Sequence, residues 1–245
     1  MHSALLLSQP MSTPHAPAFF ALLSQLAGLS PDWAVFNQGY EQVLQDVHRG
    51  GTFDFNGLRL TAPPGVYPPR VGGSTWLMAS HWEAAGIHAA NGTLLELGTG
   101  AGGLALMAAR LGWRVTASDL DMVAVEAARQ NAEANGVLVP VVHSDLFSAF
   151  ADERFNVIVF NLPLYHKETA EWSEHTLSDA KGALAHQFLT EAKSHLLPDG
   201  YVLFTYSNCS DPALLERTDW DFELVGCDYA AIGRYWRAVI KAKPR

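Results

Sequence analysis

Residues 94–106, which read L-L-E-L-G-T-G-A-G-G-L-A-L, constrain the fold more than any other stretch of this 245-residue chain. An apolar run that contains one acid, Glu96, leads into a glycine-rich run with Gly98, Gly100 and Gly102, and an Ala- and Leu-rich segment follows. This pattern predicts a buried strand, a tight turn and a helix. Glycine permits the sharp turn and a close approach of the backbone to a ligand, and the start of the helix offers unpaired N–H groups. We therefore expect a ligand site at this turn.

Three more apolar strands are predicted after this turn, and a polar cluster follows each of them. The strands and the polar residues that follow them are 115–118 with Asp119, 141–143 with Ser144 and Asp145, and 155–160 with Asn161. An acid about 20 residues after the first glycine of such a turn can accept hydrogen bonds from ribose hydroxyls, and Asp119 stands at that distance from Gly98. Because the carboxyl ends of parallel strands share one edge of a sheet, all these clusters are expected to face one crevice.

The whole pattern predicts an α/β fold with a doubly wound, mainly parallel sheet of seven strands. A fifth strand is predicted at 201–206, and residues 222–227 and 235–241 are expected to close the sheet as an antiparallel pair. Further core helices are predicted at 74–85, 122–135 and 179–196. Residues 66–245 would form this core, and residues 1–65 would form an N-terminal extension.

The extension is predicted to contain helices and a hairpin. Apolar spacing predicts a helix at 18–29, and Ser30 and Pro31 predict the cap and first turn of a second helix that runs to His48. An Asn-Gly pair predicts a two-residue turn in a hairpin at 53–60. We expect this extension to form a wall or lid over the substrate.

Four motifs in order resemble those of the class I S-adenosylmethionine-dependent methyltransferases, from about residue 66 to residue 241. The motifs are E-L-G-T-G-A-G, S-D-L-D-M, S-D-L-F and N-L-P-L. Within this class the chain is most similar to the release-factor glutamine methyltransferases and to relatives that methylate planar or exocyclic nitrogens. Those proteins also carry a Pro-Arg pair and a Thr, which are matched here by Pro69-Arg70 and Thr75. The resemblance implies a Rossmann-like methyltransferase with S-adenosyl-L-methionine as its cofactor.

The resemblance also implies which residues bind the cofactor. They are Arg70, Thr75, Glu96, Gly98, Gly100, Gly102, Asp119, Leu120, Asp145, Leu146 and Asn161. Asp119 would bind the ribose, and Asp145 would reach the adenine amino group. Glu96 would lie near the methionine end, where Arg70 would clamp the carboxylate. Structural alternatives stay open, because either aspartate can serve as a cap and Arg70 can be a surface residue.

The fourth motif is expected to carry the chemistry. The family's Asn-Pro-Pro-Tyr is Asn-Leu-Pro-Leu here, so the implied catalytic positions are Asn161, Leu162 and Pro163. The Asn161 side-chain oxygen and the Leu162 carbonyl would accept hydrogen bonds from a planar nitrogen. The predicted substrate-binding residues are Tyr67, Leu164, Tyr165 and His166. Leu164 replaces an aromatic ring that would stack on a planar substrate, a contact worth about 1–3 kcal/mol. Asn-Leu-Pro-Leu therefore supports a flat nucleobase or amide as the substrate less strongly than Asn-Pro-Pro-Tyr does.

Composition narrows the predicted acceptor. The net charge is −9 and no run of Lys and Arg occurs, whereas nucleic-acid binding draws most of its affinity from phosphate neutralisation. We therefore expect N-methylation of an amide, amine or guanidine nitrogen in a small amino-acid-derived metabolite or a protein side chain, with nucleic acid disfavoured as a partner. Methylation of the exocyclic amine of a nucleobase is the alternative.

Two rivals from other functional classes stay open. A nicotinamide-dependent oxidoreductase shares the glycine turn, but it gives no reason for Glu96 or for Asn-Leu-Pro after the fourth strand. A non-catalytic, methyltransferase-like scaffold is the second rival, although such scaffolds often lose the glycines or the ribose acid that are present here. The oligomeric state is left open.

The remaining predictions concern location and metals. No apolar stretch reaches the ~20 residues of a membrane helix, and the N-terminus lacks the basic start of a signal peptide. A cytoplasmic protein without membrane contact is therefore predicted. Cys209 and Cys227 lack metal-ligand spacing, so we expect two reduced core thiols and no metal site.

Overall fold

The computed structural model describes residues 31–88, 92–165, 168, 175–230 and 234–245. Its helices are α1 (Trp33–Arg49), α2 (Ser74–Ser80), α3 (Gly103–Arg110), α4 (Met122–Ala134) and α5 (Ala183–Ala192), with 3-10 helices at Ala180–Gly182, Lys193–His195 and Pro212–Glu216. Its strands are β1 (Gly51–Phe55), β2 (Leu58–Ala62), β3 (Thr93–Leu97), β4 (Arg114–Asp119), β5 (Val141–His143), β6 (Phe155–Phe160), β7 (Leu196–Ser207), β8 (Trp220–Ala230) and β9 (Tyr235–Pro244). The alternation of strands and helices from β3 onwards is that of an α/β core.

Strands β3 to β9 form one sheet in the order β5-β4-β3-β6-β7-β9-β8, and β1 pairs with β2 separately. The first five strands of that order run parallel, whereas β9 is antiparallel to both β7 and β8. The predicted seven-stranded, mainly parallel sheet is therefore confirmed. The chain places β4 and β5 on one side of β3, and β6 and β7 on the other. The loops after β3 and β6 consequently diverge and open a crevice at this edge.

Alternation along β3 assigns its side chains to the two faces of the sheet. Leu95 and Leu97 lie in the core cluster that α5 covers. Leu94 lies in the opposite cluster together with Leu104 of α3. Because side chains alternate along a strand, Glu96 falls on the second face, towards α3.

The predicted hairpin is confirmed as β1 and β2. Asn56 and Gly57 both have positive φ, 48° and 75°, the geometry of a two-residue turn that suits the twist of the strands. The Asn131 side chain on α4 accepts the Thr61 N–H at 2.8 Å and donates to the Thr61 carbonyl at 2.9 Å. The hairpin is therefore docked onto the core helix that follows β4.

Helix α1 begins at a different cap from the one expected. The Asp32 carboxylate accepts the N–H groups of Ala34 and Val35 at 3.1 and 3.4 Å, so the prediction that the helix starts at residues 30–31 is wrong. Ser30 and the helix predicted at 18–29 lie outside the described residues. The helix ends at Arg49, and Gly50 follows with a φ of 63°.

Helix α2 ends at Ser80 rather than at residue 85. The Ser80 Oγ donates to the Leu77 carbonyl at 2.8 Å, and His81 Nδ1 lies 2.9 Å from the same oxygen. In a continued helix the His81 N–H would bond to that carbonyl, but it bonds to the Met78 carbonyl at 3.1 Å instead. Two side chains thus compete with the backbone for one acceptor and end the helix.

The helix predicted at 179–196 is shorter in the structure, where 3-10 turns at Ala180–Gly182 and Lys193–His195 flank α5. The two carboxylate oxygens of Asp179 accept the N–H groups of Leu184 and Ala185, both at 2.9 Å. Lys181 and Gly182 have φ values of 60° and 64° in the 3-10 turn before α5. Asp179 therefore acts as a cap, and α5 starts four residues later than predicted.

The helix lengths and the two cysteines bear on the remaining predictions. Within the part of the chain that the structure describes, every helix is too short or too polar to cross a membrane. Both cysteines are free thiols, and Cys209 is buried whereas Cys227 is exposed. One of the two predicted core thiols therefore lies at the surface.

Candidate functional site

A cavity of about 540 Å³ opens at the carboxyl ends of β3, β4, β5 and β6. Its volume lies in the range of pockets that hold small ligands. The predicted site residues that line it are Tyr67, Thr75, Glu96, Gly98, Gly100, Asp119, Leu120, Asp145, Leu146, Asn161 and Pro163. The sheet thus gathers most of the predicted site residues around one crevice.

The turn after β3 is shaped by its neighbours as well as by its glycines. Gly98 has a φ of 59°, and a Cβ atom there would lie 2.6 Å from the Phe160 ring. The space that glycine leaves is therefore filled by the adjacent strand β6, and a larger residue would clash there. The Gly100 N–H donates to Asp119 Oδ2 at 2.9 Å. This bond holds the turn against the end of β4.

Asp119 is not the cap of α4, which was the structural alternative for this residue. That role belongs to Asp121, whose carboxylate accepts the Val123 N–H at 2.8 Å. Asp119 accepts the N–H groups of Gly100 and Asp121, and burial raises its pKa. Its carboxylate faces the cavity with lone pairs to spare, which suits the ribose hydroxyls that the sequence predicts.

Glu96 is buried in the sheet, with 2 % of its surface exposed. Its Oε2 accepts the Thr99 hydroxyl at 2.6 Å and the Ala105 N–H at 2.8 Å. Burial raises the pKa of Glu96 to about 8, against the opposing effect of these two hydrogen bonds. Glu96 therefore ties β3 to the glycine turn and to α3, and its carboxyl group also lines the cavity.

Two strand ends present apolar side chains to the cavity. Leu120 is 46 % exposed although it is apolar, and Leu146 has a φ of 42°. The Ser144 hydroxyl donates to the Leu146 carbonyl at 2.8 Å and fixes this turn. Asp145 adds a hydrogen-bond acceptor beside these leucines. This end of the cavity suits a flat, partly polar group such as adenine.

Asn161 stands at the end of β6, and its amide is held from two sides. Nδ2 donates to the Thr75 hydroxyl oxygen at 3.2 Å, and Oδ1 accepts the Thr205 hydroxyl at 3.0 Å. An amide oxygen has two lone pairs, so Oδ1 keeps one for a further donor. The predicted cofactor residue Thr75 thus also orients Asn161. The cavity consequently contains a fixed, neutral hydrogen-bond acceptor.

Arg70 does not line the cavity, although Pro69 does. Its Nη1 lies 2.8 Å from Asp46 Oδ2 on α1. Its Nε is buried and has no hydrogen-bond partner among the described residues. A buried donor without a partner costs free energy, so a carboxylate at this end would fit Arg70. Its role as a cofactor clamp stays a prediction.

Gly102 and Leu162 also lie outside the cavity lining. Gly102 has a φ of 85° and is the N-cap of α3, where a Cβ atom would lie 2.8 Å from Leu106 Cδ1. Leu162 is buried in the core cluster beneath α5, and the Thr205 hydroxyl lies 3.3 Å from its carbonyl oxygen. Both residues therefore shape the backbone around the cavity.

Two of the predicted substrate residues, Leu164 and Tyr165, do not line the cavity. The Leu164 carbonyl accepts the Ser207 hydroxyl at 2.9 Å, and the Leu164 side chain is buried. The Tyr165 ring packs edge-on against Phe36 of α1, with 4.8 Å between ring centroids. His166 lies outside the described residues. Tyr67 is thus the predicted substrate residue that the structure places on the cavity wall.

A group of lining residues was not among the predicted site residues. They are His175, Thr176, Ser178, Asp179, Ala180, Ala183, Leu184 and Gln187. The Ser178 Oγ lies 3.3 Å from the Tyr40 hydroxyl on α1, so α1 braces this segment. An acid before an apolar helical run is a cap signal, so Asp179 could have been identified as a cap. Its approach to the cavity has no local signal, because it depends on contacts between distant segments.

A family model described as a methyltransferase small domain matches residues 57–218. The chain belongs to this family. All residues that line the cavity fall inside the matched part. The predictions of a class I S-adenosylmethionine-dependent methyltransferase and of its cofactor are confirmed. The nicotinamide-dependent oxidoreductase is thereby set aside.

Two curated methyltransferases are similar to this chain. Ribosomal RNA small subunit methyltransferase C of Hamiltonella defensa is 34 % identical over 138 residues, which cover 55 % of this chain and 38 % of that protein. Release factor glutamine methyltransferase of Enterococcus faecalis is 30 % identical over 137 residues, which cover 51 % of this chain and 50 % of that protein. The match therefore spans half or less of the length of these relatives.

Solved structures show the same methyltransferase fold. The T. thermophilus 16S rRNA N2 G1207 methyltransferase (RsmC), in complex with AdoMet and guanosine, superimposes with a TM-score of 0.63 at 24 % identity, covering 80 % of this chain and 50 % of that one. The ribosomal protein L11 methylase of Lactobacillus delbrueckii subsp. bulgaricus gives a TM-score of 0.51 at 25 % identity, covering 68 % of this chain and 77 % of that one. The seven-stranded methyltransferase core is thus shared.

The prediction that nucleic acid is a disfavoured partner is wrong. One curated relative is a ribosomal RNA methyltransferase, and the solved neighbours include the 16S rRNA enzyme and a tRNA methyltransferase of M. jannaschii. The net charge of −9 describes the whole chain. A base that is turned out of its strand, however, enters a pocket as a small planar group. Net charge therefore does not decide between the acceptor classes of this methyltransferase.

Proposed function

We propose that this methyltransferase modifies a planar nitrogen that carries an N–H group, as in an amide or an exocyclic amine. The observation that supports the proposal is the Asn161 amide, which Thr75 and Thr205 hold beside the cavity. The lone pair of such a nitrogen is delocalised, and the nitrogen gains positive charge as its bond to the methyl group forms. A fixed acceptor on its N–H group stabilises that charge without reorganising.

The other residues of the cavity would bind the cofactor and align it with the acceptor nitrogen. When bound, S-adenosylmethionine supplies an electrophilic methyl group. Asp119 would hold the ribose, and Leu120 and Leu146 would cover the adenine. Glu96 would hold the glycine turn in place through its hydrogen bonds to Thr99 and Ala105. The chain therefore contributes mainly by holding two reactants in line, and the proton of the acceptor can leave after transfer.

The charge of the cavity wall bears on the reactive group of the acceptor. Besides Glu96, whose raised pKa of about 8 favours its neutral form, its carboxyl groups belong to Asp119, Asp121, Asp145 and Asp179. No Lys or Arg lines the cavity within the described ranges. Such a wall disfavours an anion at close range. A neutral or cationic nitrogen is therefore the favoured nucleophile.

The class of acceptor molecule follows from two similarities. The sequence predicts an amide, amine or guanidine nitrogen of a small amino-acid-derived metabolite or a protein side chain, and the similarity to a release factor glutamine methyltransferase supports a protein amide. The similarity to a ribosomal RNA methyltransferase supports the exocyclic amine of a nucleobase as the second candidate. Both acceptors present a planar N–H group to Asn161.

We propose that the N-terminal extension forms a wall or lid over the acceptor molecule. Helix α1 contacts Ser178 through Tyr40 and holds Arg70 through Asp46. Both partners lie beside the cavity or on its wall. The division at residues 65 and 66, like the cytoplasmic location, stays a prediction.

Cofactor titration and an acceptor panel test the proposal together. Calorimetry should show binding of S-adenosylmethionine and none of NAD. The protein would then be incubated with S-adenosylmethionine and a glutamine-containing peptide, an arginine-containing peptide or a guanosine-containing RNA. Mass spectrometry should find one added methyl group on a nitrogen of one acceptor. Methyl transfer to oxygen or carbon acceptors alone would reject N-methylation while leaving the family assignment intact.

A further inference from the structure

A buried hydroxyl on β7 stands directly behind the fourth motif. Thr205 is 1 % exposed and pairs with Val239 of β9 in the sheet. Its Oγ1 lies 3.0 Å from Asn161 Oδ1 and 3.3 Å from the Leu162 carbonyl oxygen. One side chain therefore touches both of the acceptor oxygens that the sequence resemblance implies for catalysis.

The chemistry of this contact fixes the role of the hydroxyl. Asn161 Oδ1 and the Leu162 carbonyl oxygen are acceptors, so the Thr205 hydroxyl is the donor to both. It has one proton, which the two oxygens share or exchange. Because Thr205 is buried, water cannot replace it, and an unsatisfied polar group there would cost free energy.

The opposite end of the same amide is held by α2. Asn161 Nδ2 donates to Thr75 Oγ1 at 3.2 Å. The amide is thus clamped between a core helix and a central strand, which lie 130 residues apart in sequence. With its two ends held, the Asn161 amide cannot rotate without breaking one of these bonds.

We propose that Thr205 is a positioning residue of this methyltransferase. Its hydroxyl orients the Asn161 amide and pins the backbone at Leu162, so that the remaining lone pair of Oδ1 stays available to the acceptor nitrogen. The consequence for turnover rests on the proposed function, whereas the orientation of Asn161 is independent of it.

A second hydroxyl on the same strand provides a matched control. Ser207 lies two residues further along β7, is fully buried, and donates to the Leu164 carbonyl at 2.9 Å. Because side chains alternate along a strand, Thr205 and Ser207 share one face. Both hydroxyls tie the fourth motif to β7, but Thr205 is the one that contacts Asn161.

The test compares Thr205→Val, Thr205→Ser and Ser207→Ala in the full chain. The side-chain amide signals of Asn161 would be observed by NMR in protein labelled with 15N-asparagine and assigned by their loss in Asn161→Asp. Thr205→Val should move this pair of signals towards the positions of a solvent-exposed asparagine. Thr205→Ser should restore them, and Ser207→Ala should leave them in place while it lowers the melting temperature.

Turnover provides the second readout. Loss of one orienting hydrogen bond should lower kcat by about tenfold in Thr205→Val, with an unchanged Kd for S-adenosylmethionine and recovery in Thr205→Ser. Wild-type Asn161 signals in Thr205→Val, or equal disturbance in Ser207→Ala, would overturn the positioning role. Altered signals with unchanged kcat on a methylated acceptor would also overturn it, although N-methylation would stand. If Thr205→Val does not fold, Thr205→Cys replaces it, because a thiol is a weak donor of similar size.

Discussion

The two halves of the cavity are built in different ways. The cofactor half, which is the side proposed to bind the cofactor and comprises Glu96, Thr99, Gly100 and Asp119, relies on contacts within the first two motifs. Thr99 bonds to Glu96 across three residues, and Gly100 bonds to Asp119 across nineteen. These hydrogen bonds thus connect β3, the glycine turn that follows it, and the end of the next strand, β4.

The acceptor half, which is the side proposed to bind the acceptor, has Thr75, Asn161 and Ser178 on the cavity wall. Tyr40 and Thr205 contact these residues, so this half joins distant segments. Asn161 bonds to Thr205 across 44 residues and to Thr75 across 86 residues. Tyr40 contacts Ser178 across 138 residues. This half therefore depends on five separate segments, which are α1, α2, the end of β6, the segment before α5, and β7.

From this difference we expect the two halves to respond differently to substitution. In the cofactor half, a substitution disturbs backbone geometry directly, because the turn has little room around Gly98. In the acceptor half, the motif carries Leu162 and Leu164 in place of a proline and a ring, and both are accommodated in the core. We therefore expect cofactor-half variants to change stability and cofactor affinity, and acceptor-half variants to change turnover.

Glu96→Gln should give the largest effect, on the pH dependence of the free energy of unfolding. The folded-state pKa of about 8 lies above the ordinary value of 4.5, so the folded protein keeps a proton that the unfolded chain releases between these values. The contribution of Glu96 to stability is thus fully present below pH 4.5 and falls as the pH rises to 8. The loss is at most ~1.4 kcal/mol per pH unit of that interval. Gln keeps the acceptor for Thr99 and Ala105 but cannot ionise, so urea unfolding at several pH values should show a flatter profile.

An exposed glutamate provides the control for this measurement. Glu83→Gln, at the surface after α2, should reproduce the wild-type profile. A residual slope of the same sign is expected in Glu96→Gln, because burial also raises the pKa of Asp119. A profile identical to that of the wild type would show that Glu96 is not protonated in the folded protein.

Asp119→Ala should weaken cofactor binding strongly. Hydrogen bonds to a charged group are worth ~1.5–3 kcal/mol each, so losing two to the ribose should raise the Kd for S-adenosylmethionine on the order of 10³-fold. Calorimetry measures this directly. Asp121→Ala is the matched control, because it removes the neighbouring carboxylate that caps α4. An unchanged Kd in Asp119→Ala would show that Asp119 serves only the fold of the turn.

Asn161→Ala should lower turnover and leave the Kd for S-adenosylmethionine nearly unchanged. Removing one preorganised transition-state partner costs on the order of 10²-fold in kcat. Asn161→Asp sharpens the test, because it keeps an acceptor, adds a charge and loses the donor to Thr75. It should retain some activity on an amine and little on a neutral amide. Parallel loss of melting temperature, affinity and turnover would instead assign Asn161 to the shape of the turn.

The same contrast shows what the sequence could predict. The glycine turn, Asp119 and the Asn-Gly hairpin were predictable, because glycine positions and strand periodicity are local properties. The end of α2 was not, because two side chains compete there for the Leu77 carbonyl. Local propensity cannot weigh such a competition.

Long-range contacts account for the remaining differences. Arg70 pairs with Asp46 of α1, and Tyr165 packs on Phe36 of the same helix. Neither partner could be identified from spacing along the chain, because the two segments meet only after α1 docks. The lining residues between Ser178 and Gln187 were also missed. They carry no motif, and contacts with distant segments bring them to the cavity.

The smallest predicted effect tests whether α1 belongs to the acceptor half. Tyr40→Phe keeps the ring packed against Tyr165, with 5.1 Å between centroids, and removes the hydroxyl that contacts Ser178. A neutral hydrogen bond contributes about 0.5–1.5 kcal/mol, so the melting temperature should fall by a few degrees. If α1 supports Ser178 and the cavity lining that follows it, the KM for the acceptor should rise several-fold in Tyr40→Phe. The kcat and the cofactor Kd should stay unchanged. Thr52→Val is the control, because it removes an exposed hydroxyl pair in the hairpin, away from the cavity. A rise in the cofactor Kd equal to the rise in acceptor KM would place α1 with the cofactor half and remove the proposed boundary between the two halves.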